Sequence, residues 1–233
     1  MFLGFQLLTL FMLIQQAQAE NLSQGAWCVA DIVSQKPVYD FETDASLQKY
    51  VSPTSSLQNE QYVPWDLQDI EKISSYIEAR GNVWQLRSEA ASALADLAAA
   101  FHQAFDKSLV VVSSFRWYAY QQKLLSSYKE KYGDARAQWF SAKPGHSEHQ
   151  LGLAVDIFNA STDNADGYKN YFAWMREHAH EYGWTQSYQK WAAIDGYVVE
   201  PWHWRYVGIE LATYLWENKM TLSEYVRFWR VRK

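Results

Sequence analysis

Along residues 86–105, Leu86, Ala90, Leu94, Leu97, Phe101 and Phe105 recur at steps of three and four on an alanine-rich background. One apolar stripe on a long cylinder predicts an amphipathic helix. Leu109-Val110-Val111-Val112 follows, short and β-branched, and predicts a buried strand. A helix mixing polar and aromatic residues is expected over 117–132, with Gly133 placed to stop it. Residues 153–158 read as a strand, and 168–182 as a helix that Gly183 ends in the left-handed region. Residues 197–207, rich in Val, Tyr and Trp, read as a strand, although Pro201 requires an edge or a bulge there. Residues 208–218 read as helix, and Thr221-Leu222-Ser223-Glu224 has the spacing of a capping box that opens a last helix through Phe228. Helices and strands do not alternate, which favours an α+β domain over a doubly wound sheet.

The first nineteen residues form a separate object. The apolar run 2–14 is broken only by Gly4, Gln6 and Thr9, and Ala17-Gln18-Ala19 then supplies an Ala-x-Ala exit before Glu20. That is the shape of a cleavable secretion signal, too short to span a membrane comfortably, although no Lys or Arg precedes the run. The expected organisation is a signal at 1–19, an extended polar arm at 20–61 with Trp27, Val29, Ile32 and Val33 docking, and one domain at 62–233. Uncleaved, the signal would act as an anchor. Cleaved, it implies an exported protein, periplasmic or at the cell exterior, with no stable membrane insertion and expected to be a monomer.

A net charge of −5, scattered along the chain, argues against nucleic-acid binding, which needs a basic stripe. Cys28 is the only cysteine, so no internal disulfide framework exists, and an inert or dimer-forming thiol is the plain reading. The 12 Trp and 16 Tyr are expected mainly in the core, with exposed ones available to line a groove for sugar or peptide.

The chemistry concentrates in two stretches. The first, Ser147-Glu148-His149-Gln150-Leu151-Gly152-Leu153-Ala154-Val155-Asp156, carries His149 and Asp156 seven residues apart. Gly152 between them can turn sharply or let the backbone pass close to a metal. Beyond that turn, strand alternation puts Ala154 and Asp156 on one face, and the small Ala154 leaves room beside the carboxylate. The second stretch, Glu200-Pro201-Trp202-His203, places a carboxylate three residues before an imidazole, and Pro201 speaks against a helical pair. His149, Asp156 and His203 are candidate ligands to a zinc ion, Zn2+, with a fourth position open to water and Glu200 as its base. Either pair alone is a weak signal; their conjunction inside these flanking patterns is specific.

These residues resemble the LAS-type zinc peptidases, specifically the VanY-like D-alanyl-D-alanine carboxypeptidases of peptidase family M15. The likeness covers roughly residues 62–208 and is strongest in Pro144-Gly145-His146-Ser147-Glu148-His149, in Gly152-Leu153-Ala154-Val155-Asp156 and in residues 200–208. It implies zinc held at the positions of His149, Asp156 and His203 and a catalytic base at Glu200. It also implies an α+β fold of the LAS/hedgehog type, with helices around a small antiparallel sheet carrying the site. Ser113-Ser114-Phe115-Arg116-Trp117-Tyr118-Ala119-Tyr120-Gln121 looks like the family's Ser-Gly-Tyr-Arg segment, so Arg116 is expected in the site. A guanidinium there can hold a peptide carboxylate or steady an oxyanion. Gln121 and Ser147 are further substrate-binding candidates.

Some positions depart from the family pattern. Gly-Tyr before the arginine is Ser114-Phe115 here, Trp117 stands where a small residue is usual, and Ser187-Tyr188-Gln189 replaces Arg-Tyr-Pro. These alter the expected groove rather than the zinc ligands. Of the other histidines, His102 reads as a half-exposed helix residue and His178 and His180 as a helix end, while His146 lies near the site.

The implied activity is hydrolysis of the terminal D-Ala from peptidoglycan stem peptides by a D,D-carboxypeptidase. The alternatives are an L,D-carboxypeptidase on tetrapeptide stems, a cross-link endopeptidase, and a non-catalytic cell-wall- or sugar-binding module with a structural zinc.

Overall fold

The strands are short and the helices do most of the covering. A computed structural model of the chain describes residues 39–81, 85–158 and 168–231. The signal-like segment, Cys28 and the apolar residues Trp27, Val29, Ile32 and Val33 lie outside the described residues. In chain order the strands are β1 (Leu67–Asp69), β2 (Ile77–Ala79), β3 (Gln85–Arg87), β4 (Leu109–Ser113), β5 (Ala154–Ile157), β6 (Trp184–Gln186) and β7 (His203–Tyr206). The α-helices are α1 (Ser88–Phe105), α2 (Tyr118–Tyr132), α3 (Asp134–Ala137), α4 (Lys169–His178), α5 (Ala192–Asp195), α6 (Ile209–Glu217) and α7 (Leu222–Val231). The main sheet runs β2-β4-β5-β7-β6; β4, β5, β7 and β6 pair antiparallel, and β2 joins β4 in parallel at one edge. β1 and β3 form a separate antiparallel ribbon. The architecture is the expected α+β, with the site-bearing strands in the antiparallel part.

The stripe on α1 is buried as its spacing requires: Ala90, Leu94, Leu97, Ala98 and Phe101 are fully covered. Phe101 meets Trp174 and Tyr171 of α4 edge-on, with ring centroids 5.6 and 5.3 Å apart, so much of the aromatic content serves the core. The helix begins at Ser88 rather than at residue 86, because Gln85–Arg87 are drawn into pairing with Leu67–Asp69. Leu86 is buried from a strand, not from a helix. The segment 168–182 is helical but divided: α4 ends at His178, a 3-10 turn spans Ala179–Tyr182, and Gly183 turns the chain at φ +81. At 197–207 only His203–Tyr206 is strand, since Pro201 has no N–H to pair and Pro201 and Trp202 form a turn. Both arms of the capping box are made: Thr221 N–H donates to Glu224 Oε2 at 2.9 Å, and Glu224 N–H to Thr221 Oγ1 at 3.3 Å.

Asp40–Lys233 forms one unit, so residues 40–61 belong with the rest. They carry little regular structure, yet Phe41, Val51 and Leu57 are buried and Lys49 pairs with Asp44 at 3.2 Å. This wrap also meets the fully buried Arg205 on β7, whose Nη2 donates to the carbonyls of Leu47 and Lys49, each at 3.0 Å. Among the described residues no helix is long and apolar enough to cross a membrane.

Between the 3-10 turn Glu148–Leu151 and β5, Gly152 bends the chain at φ +65, with its carbonyl accepting Arg87 N–H at 2.8 Å. A Cβ there would come within 2.9 Å of Leu67 Cδ2 and 3.2 Å of Arg87 Cγ. Gly152→Ala therefore adds left-handed strain to crowding, and urea denaturation should show a loss of about 1–3 kcal/mol. Wild-type stability in that variant would mean the bend does not need glycine.

Candidate functional site

β5 and β7 set the spacing of the site. They run antiparallel with Asp156 opposite His203 and Ala154 opposite Arg205. Directly opposed residues project to the same face, so the carboxylate and imidazole meet, Asp156 Oδ1 lying 3.1 Å from His203 Nδ1. His149 comes from the 3-10 turn just before the Gly152 bend. Its Nδ1 lies 2.7 Å from the Ser114 carbonyl, which can only accept, so Nδ1 carries the proton and Nε2 the lone pair. That Nε2 is buried without a hydrogen-bond partner, 3.3 Å from Asp156 Oδ2 but not aligned to bond it. One donor atom from each of His149, Asp156 and His203 lies within 4.8 Å of the others. Two imidazole nitrogens and a carboxylate oxygen around an orphaned lone pair fit zinc, leaving a position for solvent.

Charge at the site points the same way. Burial, followed by the charge of Arg116, lowers His149 to about 4, so it stays neutral with its lone pair free. Asp156 is held well below the usual carboxylate range, because its contacts with His149 and His203 outweigh the burial that opposes its charge. For His203 burial also favours the neutral ring, but hydrogen bonds to Asp156 and Glu148 and their charges win, pushing it up to about 10.

Glu200 sits on the turn before β7 and is 8% exposed. Its N–H donates to the Tyr188 carbonyl at 3.0 Å, and its own carbonyl accepts Gln186 Nε2 at 3.2 Å. Burial first, and then the charges of Asp156 and Glu148, push its carboxyl up to about 8 against the pull of His203 and Arg116. A carboxyl so shifted can exchange a proton near neutral pH. Arg116 leaves β4 with Nη2 3.9 Å from Asp156 Oδ2 and with Nε buried and unpaired. Gln121, on α2, donates from Nε2 to the Ala142 carbonyl at 2.8 Å, and its Oε1 is buried without a partner. Ser147 is buried beside them. His149, Asp156, His203, Glu200, Arg116, Gln121 and Ser147 all line one cavity of about 510 Å³, together with Tyr128, Tyr188 and Tyr197. The Tyr188 ring stacks on His203 at 4.6 Å, and burial raises the Tyr188 phenol well above its ordinary value, so it remains neutral.

The remaining histidines are engaged elsewhere. His146 Nδ1 donates to the Ser52 carbonyl at 2.7 Å, His102 stacks on Tyr76, His178 pairs with Glu181, and His180 stacks on Trp216. One functional candidate escapes sequence reasoning: Glu148. It is 3% exposed, and its Oε2 lies 2.8 Å from His203 Nε2 and accepts Ser187 Oγ at 2.7 Å. His203 and Arg205 hold it below its ordinary value although burial opposes its charge. Its signal in the sequence was a carboxylate amid residues otherwise bound for the interior, but its partners stand some forty to sixty residues away, at Ser187, His203 and Arg205.

The VanY family, described as D-alanyl-D-alanine carboxypeptidase, matches residues 83–209, more than half of the chain and every candidate residue from Arg116 to His203. YodJ of Bacillus subtilis (strain 168) is 34% identical over 183 residues, 74% of this chain. The chain spans 63% of that relative's length. Among solved structures, the LdcB LD-carboxypeptidase is similar with a TM-score of 0.66 and 30% identity, over 79% of this chain and 87% of its own. A mutant of the vancomycin-resistance D,D-pentapeptidase VanY in complex with Zn(II) is similar with a TM-score of 0.63 and 29% identity, over 78% of this chain and 99% of its own. By the extent of that family match and the side chains it spans, this chain belongs to the VanY D-alanyl-D-alanine carboxypeptidase family.

Proposed function

We propose that this chain is a zinc-dependent D,D-carboxypeptidase, exported to the cell envelope, that hydrolyses the terminal D-alanine from peptidoglycan stem peptides. The observation that carries the reading is the convergence of His149 Nε2, Asp156 and His203 in the cavity that also holds Glu200 and Arg116. A closed structural zinc site would take a fourth protein ligand, whereas these three leave a position free beside a buried glutamate. The similar VanY structure contains Zn(II), which supports the choice of metal.

His149, Asp156 and His203 would hold the ion, which supplies Lewis acidity that acidifies water and polarises the scissile carbonyl. Glu200 takes a proton from the attacking water and hands it to the departing amine of D-alanine. Its burial keeps the protonated form within reach between those two transfers. Arg116 supplies a fixed positive charge to the tetrahedral oxyanion or to the substrate's terminal carboxylate. Gln121 Oε1 is an unpaired acceptor in the cavity wall, suited to an N–H of the peptide, and Ser147 offers a hydroxyl. Tyr188 and Tyr197 line the cavity as buried side chains whose phenols burial keeps neutral.

Glu200→Gln should retain zinc by elemental analysis while turnover of a pentapeptide stem falls by about 10²–10⁴. Near-normal turnover would remove Glu200 from the mechanism. His203→Ala or Asp156→Ala should instead lose the metal itself, read as zinc per chain after dialysis, and full occupancy in either would refute the ligand assignment.

The likeness to LdcB supports a second reading, an L,D-carboxypeptidase on tetrapeptide stems. Purified protein incubated with each stem, with and without chelator, separates them by released D-alanine. Chelator-sensitive release from the pentapeptide is expected. Release from the tetrapeptide alone would favour the second reading, and tight binding of either stem without release would mean a wall-binding module.

A further inference from the structure

We propose that Glu148 is a positioning residue of the metal centre: it binds the far nitrogen of His203 and thereby fixes which ring nitrogen faces the ion. The inference rests on the metal-site reading above and extends it to a residue outside the ligand set.

The geometry leaves Glu148 this role and excludes two others. His203 has Asp156 on its Nδ1 side at 3.1 Å and Glu148 on its Nε2 side at 2.8 Å. Glu148 therefore lies an imidazole's width away from the converging donors and is not a fourth ligand. It is also 3% exposed and, unlike Glu200, does not line the cavity, so it has no path to a substrate proton. What remains is the ring. A neutral imidazole carries one N–H, and an anionic acceptor on Nε2 draws the proton there and leaves the Nδ1 lone pair toward Asp156 and the ion. The same acceptor makes Nδ1 more basic, a stronger donor to a cation.

Glu148 is itself held in place. Ser187 Oγ donates to Oε2 at 2.7 Å, and Arg205 Nη1 stands 3.9 Å from Oε1 with no other partner. Arg205 in turn is fixed through Nε to the Tyr206 carbonyl at 2.9 Å and through Nη2 to the carbonyls of Leu47 and Lys49. A path of polar contacts thus runs from the wrap at residues 47–49 through Arg205 and Glu148 to Nε2 of His203, the nitrogen opposite the one that faces the metal. Ser187 belongs to the segment where this chain departs from the family's usual Arg-Tyr-Pro, and here its hydroxyl is part of the support.

The test measures metal, not only turnover. Zinc affinity of the full chain, by competition with a chromophoric chelator, should fall by about 10–100-fold in Glu148→Ala. Glu148→Gln, which keeps an acceptor of the same shape but loses the charge, should show a smaller loss. Cobalt(II) substituted into each variant should give a visible spectrum differing from wild type, a signature that loss of general stability does not produce. Thermal denaturation of the metal-free proteins checks folding. If Glu148→Ala does not fold, the glutamine variant decides alone. Wild-type zinc affinity and an unaltered cobalt spectrum in the folded variants would overturn the proposal. A wild-type chain that binds zinc but releases no D-alanine would instead sink the carboxypeptidase reading and leave the affinity comparison intact.

Discussion

Asp156, His203 and Glu148 form a line in which one buried imidazole separates two carboxylates, Glu148 buried and Asp156 half-buried at the cavity wall. Burying anions is costly unless positive charge comes with them. Arg205 and Arg116 supply part of it from the flanks, at 3.9 Å each. The rest must come from between the donors, either as a proton on His203 or as a metal ion. The carboxylates on its two sides push His203 upward against its burial, the direction expected where two anions flank one ring. Metal affinity and the protonation of this ring are two expressions of the same demand.

The sheet answers a geometrical question that the sequence separation leaves open. Asp156 and His203 stand forty-seven residues apart along the chain but directly opposite each other across β5 and β7. His149 cannot arrive from the same strand as Asp156, so a single left-handed glycine folds its turn back over the pair. The Ser114 carbonyl at the end of β4 then fixes its tautomer. Three neighbouring strands each contribute: β4 orients His149 and leads to Arg116, β5 carries Asp156, and β7 carries His203.

Much of this was legible from residues alone. The helix over residues 88–105, the stop at Gly133 and the capping box of α7 follow from local periodicity and termini, where spacing and short-range hydrogen bonds decide the conformation. The convergence of His149, Asp156, His203, Glu200 and Arg116 on one cavity was readable because their flanking patterns are distinctive and match a known family. The short strands β1, β2 and β6 were not readable. Three residues carry too little periodicity, and long-range pairing rather than propensity makes them strands. The same pairing turned Leu86 from a helical position into a strand position. Glu148 was missed for a related reason: its role depends on Ser187, His203 and Arg205, brought to it only by tertiary folding.

The carbonyls of Leu47 and Lys49 that clasp Arg205 lie ahead of the residues matched by the family, which begin at 83. Excising only the matched stretch, for a fusion protein or a chimera, would strip a buried guanidinium of two acceptors. Each such orphaned contact costs on the order of 1–3 kcal/mol, enough to rival the margin by which a small fold survives. The boundary that likeness draws around this site is thus narrower than the one its energetics require, and any graft of it must carry the upstream belt along.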